Sequence, residues 1–518
     1  MQSISNNKRI AKNTMFLYFR MILIMGVTLF TSRVILDKLG VEDYGLYQVV
    51  GGVVGILSFL NGTLSTGTSR FLTYELGTGN VEKLKRTFST GFYTHVILAL
   101  IVVVLMETGG LWFLYNKLII PVERLDACFW VFQLSIFTTF VAITQVPYTA
   151  TIMAHERMGI YAYISIFEAL AKLGVCYLIS ITSIDRLIIY AILIAIVQLL
   201  VAAFYRIYSI KNFVEAKLLL VFDKGILKSM MGFSGWNVLA NISNMLGHQG
   251  TLVLINMFFT PVIVAAQAIA GQVSGAMMQF INNFRTAINP QVIKLYAAGD
   301  KEGSKRLTLQ TTIFCFDLVL LLGLPAILSM NTIMHVWLVE VPDYAVAFTQ
   351  WIIVRQIVGT FSASFYTPMM AANKMKTNSM AAIYLGIGEF ILLYFFLKLG
   401  FGPMWIQYLG FAITTVVFSL VVKPWVLIRE IDYSLKEILQ CYLTCLKTLV
   451  LALFISAIPV YYLSESIPHA LVNICVSGLA VCLSSYLFMD RPTKEKLKSL
   501  IASKLSALKK KYYIPQYK

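Results

Sequence analysis

The sequence predicts an all-α polytopic membrane protein, and three observations lead to that fold class. Hydrophobic residues make up 58% of the 518 residues, charged residues only 13%, and the mean hydropathy is +0.76. Too little polar surface remains to cover a soluble globule of this size. The apolar runs are continuous over about 20 residues, as membrane-spanning helices require, and do not alternate as the strands of a β-barrel do.

A repeat within the chain organises these helices. The segment YTATIMAHERM, residues 148–158, returns 218 positions later as YTPMMAANKMK, residues 366–376. A second pair of similar segments begins at Tyr74 and Tyr296. The simplest interpretation is that one unit occurs twice in the chain.

Apolar windows predict about fourteen transmembrane helices, arranged as two parallel-repeat six-helix bundles plus a C-terminal helix pair. The windows lie near residues 13–35, 45–66, 87–107, 127–150, 158–182, 186–208, 232–258, 262–288, 307–330, 344–371, 377–398, 403–428, 441–463 and 470–488. The predicted domains are an N-terminal six-helix bundle at 1–215, a C-terminal six-helix bundle at 216–435, an extra two-helix hairpin at 436–489 and a basic amphipathic cytoplasmic tail at 490–518.

The distribution of lysine and arginine predicts the orientation. When the windows alternate from a cytoplasmic N-terminus, 30 of the 42 basic residues fall on the inner side and 5 on the outer side. This asymmetry is typical of a multi-pass protein with both termini in the cytoplasm. The net charge of +17 therefore needs no nucleic acid partner. The linker Ile210–Ser229 mixes lysines with the run LLLVF and is predicted to lie on the membrane surface.

Catalytic and cofactor motifs are absent from the sequence. It contains no G-x-x-x-x-G-K-[ST] phosphate loop, no H-E-x-x-H zinc motif and no G-x-S-x-G nucleophile elbow. The seven cysteines fall almost entirely within apolar runs, where a small hydrophobic role is typical. We therefore predict no metal, no cofactor and no catalytic residue, and a protein that is not an enzyme.

Ionisable residues inside the windows are the remaining candidates, because they are costly in the bilayer and usually face a cavity or a partner. Glu168 and Lys172 stand four residues apart and can neutralise each other, so structural and functional roles both stay open. Arg355 lies between windows that carry acids, and a buried ion pair that exchanges partners is a hypothesis here. The candidates nearest mid-depth are Glu168, Lys172, His248, Asp317, Arg355 and Glu389.

Arg20, Arg33 and Arg285 lie closer to the ends of their windows. Snorkelling toward lipid headgroups explains each of them as well as lining of a central cavity does. Guanidinium groups match phosphate bidentately, so several of them in a hydrated cavity would hold a diphosphate. His248 lies in an unusually polar window that is expected to face a cavity, and a role in a proton step stays open.

Three segments resemble a known family. LGVEDYGLYQVVGGVVGILSFLN (39–61), SRFLTYELGTGNVEKLKRTFST (69–90) and RMGIYAYISIFEALAKL (157–173) resemble bacterial polysaccharide-export flippases, in particular O-antigen transporters, of the multidrug/oligosaccharidyl-lipid/polysaccharide superfamily. The resemblance implies a V-shaped pair of six-helix bundles in the bacterial inner membrane. It further implies flipping of undecaprenyl-diphosphate-linked oligosaccharide from the inner to the outer leaflet by alternating access, as in lipopolysaccharide biosynthesis.

The resemblance also implies site residues and partners. A cationic lumen for the substrate would use Arg20, Arg33, Arg285, Arg355 and Lys172. Membrane lipids and a coupling ion, H+ or Na+, would be the other partners, with coupling candidates Asp317, Glu389, Glu168 and His248. The alternatives are a multidrug or metabolite antiporter of the same superfamily, whose lumen would be acidic rather than basic, and a membrane glycosyltransferase or polymerase, which would need a larger outer loop.

Overall fold

A computed structural model of the chain describes residues 2–155, 157–179, 185–228, 230, 245–462, 466–495 and 498–499. These residues are helical over most of their length, and the described part of the chain contains no β-strand. Ten of its helices are long and apolar enough to cross a membrane. A helix satisfies its own backbone hydrogen bonds, which the bilayer interior requires. The predicted all-α polytopic class is confirmed, while the count of about fourteen spans and their grouping into bundles stay predictions.

The first half of the chain contains helices of very different length. A glycine with a positive φ of 82°, Gly40, turns the chain between the first two. A π-helical turn, Met106–Gly110, separates the fourth from the fifth. The helices are α1 (Gln2–Leu39), α2 (Val41–Gly55), α3 (Phe59–Thr78), α4 (Val81–Leu105), α5 (Leu111–Asn116), α6 (Leu125–Ala154), α7 (Met158–Leu178) and α8 (Arg186–Asn212).

In the second half, the predicted window near 232–258 lies outside the described residues as far as residue 244. From there on the helices are α9 (Thr251–Phe258), α10 (Pro261–Ala297), α11 (Lys301–Leu328), α12 (Met330–Trp337), α13 (Ala345–Gly359), α14 (Tyr366–Ala371), α15 (Lys376–Lys398), α16 (Trp405–Gly410), α17 (Lys423–Ile431), α18 (Leu435–Tyr462) and α19 (Ile467–Phe488). Two π-helical segments, Leu246–Gly250 and Phe411–Val422, interrupt this series.

The same turn occurs in both halves, 220 residues apart. Gly79 and Gly299 adopt positive φ values of 72° and 84°, a conformation that glycine enters without strain. The next residue then caps a helix, because Asn80 accepts from the Lys83 N–H at 3.0 Å and Asp300 accepts from the Gly303 N–H at 2.8 Å. Glycine followed by a short polar N-cap residue therefore starts α4 and α11 in the same way.

The described chain divides into two compact units that do not follow the halves of the sequence. The first unit contains residues 1–276, 334–352 and 376–418, and the second contains 277–333, 353–375 and 419–518. The core of the first unit combines side chains from both halves, among them Leu46, Phe132 and Phe348, all fully buried. The second unit has its own smaller core, which includes Phe365 and Leu427.

The C-terminal helices α18 and α19 belong to the second unit and pack against each other and against α11. At one contact, Gly478 of α19 lies beside Leu321 of α11. Inside this hairpin the Ser456 hydroxyl donates to the Ala452 carbonyl of its own helix at 2.6 Å. The predicted amphipathic tail lies largely outside the described residues from position 500 onward.

Candidate functional site

The first unit joins the two halves of the sequence at the end where α1 stops at Leu39, which we call the far face. The indole N–H of Trp337 donates to the Leu29 carbonyl at 2.7 Å. The guanidinium of Arg33 donates to the Val336 carbonyl at 2.8 Å. Both bonds fasten α1 to α12, although their partners lie about 300 residues apart in the sequence.

One glutamine bridges two helices next to these bonds. The Ser32 hydroxyl donates to the side-chain carbonyl of Gln272. The amide group of Gln272 in turn donates to the Tyr44 hydroxyl at 2.7 Å. Ser32 and Tyr44 are buried, so this chain of bonds is sheltered from water and ties α10 to both α1 and α2.

Backbone contacts complete the closure of the far face. Gly45 of α2 lies so close to Pro261 that a Cβ atom at this position would stand 2.0 Å from the Pro261 carbonyl oxygen. Asn256 is fully buried and pairs with the Ile119 peptide, accepting from its N–H at 3.0 Å and donating to its carbonyl at 3.2 Å. The far face of the first unit is therefore closed by direct contact between the two halves.

An arginine held by two carboxylates lies at the same face. The Arg124 side chain donates to Asp43 at 2.8 Å and to Asp185 at 2.5 Å, which connects the start of α2, the start of α6 and the N-cap of α8. Burial raises the pKa of the Asp43 carboxyl, although the Arg124 hydrogen bond opposes this change. A cavity of about 440 Å³ opens beside the cluster and is also lined by Glu42 and Glu340.

The pKa of Asp185 is shifted in the opposite direction from that of Asp43. Burial raises the pKa of this carboxyl, but the bonds from Arg124 and from the N–H groups of Ile188 and Leu187 outweigh burial and leave the pKa lowered. Those two N–H groups belong to the first turn of α8, where a carboxylate N-cap is stabilised. Asp185 therefore stabilises the cluster in its ionised form.

A basic pair lies inside the second unit. Arg285 of α10 is half-buried, and its Nε is a buried donor without a hydrogen-bond partner among the described residues. Lys423, at the start of α17, lies close enough to Arg285 for the two like charges to interact. Two cations held together away from water repel each other, so an anion between them would be strongly favoured.

Neutral polar groups surround this pair. Cys315 of α11 lies next to Arg285 and is fully buried. Ser364 lies beside Cys315, and its hydroxyl is buried without a hydrogen-bond partner in the described part of the chain. One helical turn beyond Arg285, Asn289 accepts a hydrogen bond from Thr367 at 2.8 Å. The surroundings of Arg285 therefore offer several neutral hydrogen-bonding groups.

An acidic position lies in the first unit. Glu389 of α15 accepts a hydrogen bond from Thr414, which lies in the π-helical segment Phe411–Val422. The other π-helical segment of the second half ends at Gly250, whose Cα faces the Phe390 ring. π-Helical turns are rare and are frequent at functional sites. Glu389 therefore bonds to one such segment, and the next residue, Phe390, contacts the end of the other.

The remaining predicted site residues are dispersed. Lys172 donates to Glu168 at 2.6 Å, as the four-residue spacing predicts. His248 is exposed, and Arg355 and Asp317 are half-buried in the second unit. Asp317 lies beside Ser485 of the C-terminal hairpin, and its Oδ1 has no hydrogen-bond partner in the described structure. The remaining candidate, Arg20, belongs to α1, but its side chain lies outside the described residues.

Sequence reasoning did not select two cations. Lys423 lies inside the predicted window near 403–428 but is not among the predicted site residues, and Pro424 follows it at the start of α17. Arg206, near the end of the predicted window at 186–208, lies within α8 and donates to the Thr144 hydroxyl at 2.7 Å. Its guanidinium carbon lies 5.8 Å from the centre of the Tyr148 ring. The sequence repeat marks Tyr148 as a notable position, but the spacing of residues does not show that Arg206 contacts it.

A comparison of the sequence with family models finds no match, and a comparison with curated proteins finds none either. Solved structures do match. The chain is similar to the lipid II flippase MurJ in an inward closed conformation, with a TM-score of 0.67 and 13% identity, covering 92% of this chain and 98% of that one.

Two other solved structures have the same fold. A multidrug resistance MATE family transporter of the MOP superfamily, in an inward-facing conformation, has a TM-score of 0.64 and 11% identity over 78% of this chain and 94% of that one. A MOP superfamily transporter from Pyrococcus furiosus, described by a reverse polarity of its binding pocket, has a TM-score of 0.59 and 13% identity over 81% of this chain and 95% of that one. The chain therefore has the fold of the MOP-superfamily transporters.

Proposed function

We propose that this protein is a flippase that moves a lipid-linked oligosaccharide with an undecaprenyl-diphosphate headgroup across the bacterial inner membrane. The observation that carries the proposal is the basic pair Arg285 and Lys423 inside the second unit. An unsatisfied guanidinium donor in a partly dry site is destabilising unless an anion completes it. A diphosphate supplies two adjacent negative charges and several acceptor oxygens, which suits two neighbouring cations.

The closed far face indicates which end of the first unit has to open during transport. With the termini in the cytoplasm, as the charge distribution predicts, the far face points outward. In this orientation the contacts of Trp337, Arg33 and Gln272 close the outer end of the first unit. Release to the outer leaflet requires those bonds to break, which is the outward-open half of an alternating-access cycle.

The membrane potential can drive the movement. With an inside-negative potential, outward transfer of the headgroup gains about 2.3 kcal/mol per negative charge per 100 mV. A coupling cation is a further source of energy, and Glu389 with the Thr414 hydroxyl is the position we assign to it, since hard cations and protons take oxygen ligands. The same carboxylate is the one observation that favours the alternative function, an antiporter for cationic drugs or metabolites.

Flipping by the purified protein in proteoliposomes tests the proposal. The substrate is a fluorescent undecaprenyl-diphosphate sugar, and its arrival in the opposite leaflet is followed by dithionite quenching. We expect Arg285→Gln and Lys423→Gln to slow flipping by about 10- to 100-fold each, the effect of losing a charged hydrogen bond worth about 1.5–3 kcal/mol. Lys447→Gln, which removes an exposed cation from the C-terminal hairpin, is the matched control and should flip at the wild-type rate.

Two results would contradict the proposal. One is flipping at the wild-type rate in a folded Arg285→Gln, Lys423→Gln double variant. The other is export of a cationic dye that depends on Glu389 and is not affected by either basic residue, which would establish the antiporter instead.

A further inference from the structure

The segment that follows α8 is fixed to the first unit by its own side chains. Phe213 is buried and stacks on the His155 ring, with ring centres 4.2 Å apart and an angle of 16° between the planes. Glu215 is only 3% exposed and lies 2.5 Å from His155 Nε2. This anchor holds the beginning of the segment against the end of α6.

Two backbone hydrogen bonds fix the rest of the segment to α4. The Leu219 N–H donates to the Ser89 hydroxyl at 2.9 Å, and the Asp223 N–H donates to the Thr90 hydroxyl at 3.1 Å. Both hydroxyl residues are fully buried. Residues 213–223 therefore follow one defined path over the ends of α4, α6 and α8.

This path leaves a row of large apolar side chains uncovered. Leu218 and Phe222 are each 41% exposed, and Leu220 is 97% exposed. They alternate with Leu219 and Val221, which are half-buried, as expected of an extended chain with one face against the protein. The segment thus presents an apolar ridge on the side that faces away from the protein.

Basic residues flank the ridge. Lys217, Lys224 and Lys228 are exposed, and the acid next to the ridge, Asp223, is engaged in capping the N–H of Gly225 at 2.8 Å. An exposed apolar ridge bordered by lysines complements the headgroup region of an anionic lipid leaflet, where apolar side chains insert and lysines meet phosphates.

The sequence of α4 gives the depth of the ridge. The helix begins with Lys83, Lys85 and Arg86, and from Thr87 to Leu105 it carries no lysine, arginine or carboxylate. Ser89 and Thr90, to which the segment is bonded, stand where this uncharged part begins. That change marks the level at which a transmembrane helix enters the bilayer. A ridge bonded to α4 at this level would meet the lipid headgroups.

We propose that residues 217–224 bind the surface of the inner leaflet, with the side chains of Leu218, Leu220 and Phe222 in the headgroup region and Lys217 and Lys224 on anionic lipid phosphates. This lipid contact is independent of the transported substrate. It fixes this segment, which connects the two halves of the chain, to the membrane. The hydrogen bonds to Ser89 and Thr90 fix the same segment to α4.

Spin labelling of the full-length protein in nanodiscs tests the contact. The labelled position is Leu220→Cys, in a background in which the two exposed cysteines, Cys475 and Cys482, are replaced by serine. Accessibility to oxygen, which concentrates in the bilayer, is compared with accessibility to a water-soluble nickel chelate. Glu82→Cys, on an exposed turn of α4, is the aqueous control, and Leu199→Cys, exposed on α8, is the lipid control.

We expect the oxygen-to-nickel ratio at Leu220 to exceed that at Glu82 by at least about threefold in nanodiscs with one quarter phosphatidylglycerol. A ratio equal to that at Glu82 would overturn the proposal. Low accessibility to both probes would also overturn it, because a protein partner or second copy would then cover the ridge.

A charge variant separates the role of the lysines from that of the apolar ridge. With Lys217, Lys224 and Lys228 replaced by glutamine, the ratio at Leu220 should fall in phosphatidylglycerol nanodiscs and stay unchanged in phosphatidylcholine nanodiscs. An unchanged ratio in both would remove the anionic lipid from the proposal. Because the readout is depth and not flipping, its outcome is distinct from that of the transport experiment.

Discussion

Replacing Gly45 with alanine should open the far face of the first unit. The added Cβ would stand 2.0 Å from the Pro261 carbonyl oxygen and 2.7 Å from its carbonyl carbon, both backbone atoms that no side-chain rotation can remove. Contacts of a real Cβ atom stay beyond 3.0 Å. The N-terminus of α10 must therefore move away from α2, which is the direction in which the two halves separate at this face.

The size of the effect follows from the cost of overpacking. Forcing extra volume into a packed contact costs about 1–3 kcal/mol. A state with the far face open does not bear this penalty, so the equilibrium shifts toward that state by roughly 5- to 150-fold. The substitution does not alter the basic pair, because Gly45 and Pro261 belong to the first unit and the basic pair belongs to the second.

Thiol accessibility measures the opening. Ser32 is 3% exposed in the closed far face, and a cysteine at this position reports whether water reaches it. We expect Gly45→Ala to raise the rate of Ser32→Cys modification by a membrane-impermeant maleimide by about 5- to 100-fold. Cys475 and Cys482 are replaced by serine in the background because they are exposed, whereas the other five cysteines are buried.

A second glycine on the same helix provides the control. A Cβ at Gly51 would meet only the Ser135 hydroxyl, at 4.0 Å, so Gly51→Ala lowers backbone freedom equally without closing any gap. Its Ser32→Cys modification should match that of the parent protein. Equal modification rates in Gly45→Ala and Gly51→Ala, with both proteins monodisperse and melting normally, would refute the reasoning.

Two further predictions concern stability, each read from the melting temperature of the solubilised protein. The pKa of Asp185 is lowered because the bonds from Arg124 and the α8 N–H groups outweigh burial. The ionised carboxylate therefore stabilises the fold at pH values above the ordinary aspartate pKa. This contribution is lost as the pH falls through the lowered pKa of the folded state. Asp185→Asn, which keeps an N-cap residue, should lower the melting temperature at pH 7 but hardly change it near about pH 2. Asp43→Asn should lower the melting temperature less at pH 7, because burial raises the pKa of Asp43. Equal losses at both pH values for Asp185→Asn would contradict this prediction. Asn256→Ala should destabilise by about 1–3 kcal/mol, because it leaves the Ile119 peptide without its two bonds. The exposed Asn116→Ala is the control, and equal melting of the two variants would contradict the assignment.

Composition and hydropathy were sufficient for the fold class, because a bilayer permits few alternatives to apolar helices. Local pairs were also predictable: Glu168 and Lys172 bond at the four-residue spacing of a helix. Contacts between distant residues were not. Arg33 was predicted as a phosphate ligand from its residue type, and the structure places its guanidinium on the Val336 carbonyl, 303 residues away. Its role as a ligand stays a prediction.

The basic pair illustrates the same limit. Arg285 was selected because it lies near the end of an apolar window, and Lys423 was not, because periodicity gives the face of a helix but not its neighbour. Which cation meets Arg285 depends on how α10 and α17 pack, and a residue separation of 138 carries no information on that. Hydropathy therefore finds the charged residues, and only tertiary packing decides which of them form one site.

The chemistry of the far face suggests how it can open repeatedly. The ion pairs of Arg124 with Asp43 and Asp185 connect elements within the first half of the sequence. The bonds between the halves that involve Trp337, Arg33, Gln272 and Asn256 all end on neutral acceptors. Breaking a bond to a neutral acceptor leaves groups that water readily solvates, whereas breaking a buried ion pair leaves an uncompensated charge at a cost of about 3–5 kcal/mol.

This arrangement predicts that opening of the far face responds weakly to salt. Exposed charge interactions are screened over about 10 Å at 0.1 M salt and about 3 Å at 1 M, while bonds to neutral acceptors are hardly affected. The rate of Ser32→Cys modification should therefore change by less than about twofold between these two salt concentrations. Acceleration of tenfold or more at high salt would mean that ion pairs hold the two halves together, and the closure assigned to Trp337, Arg33 and Gln272 would be wrong.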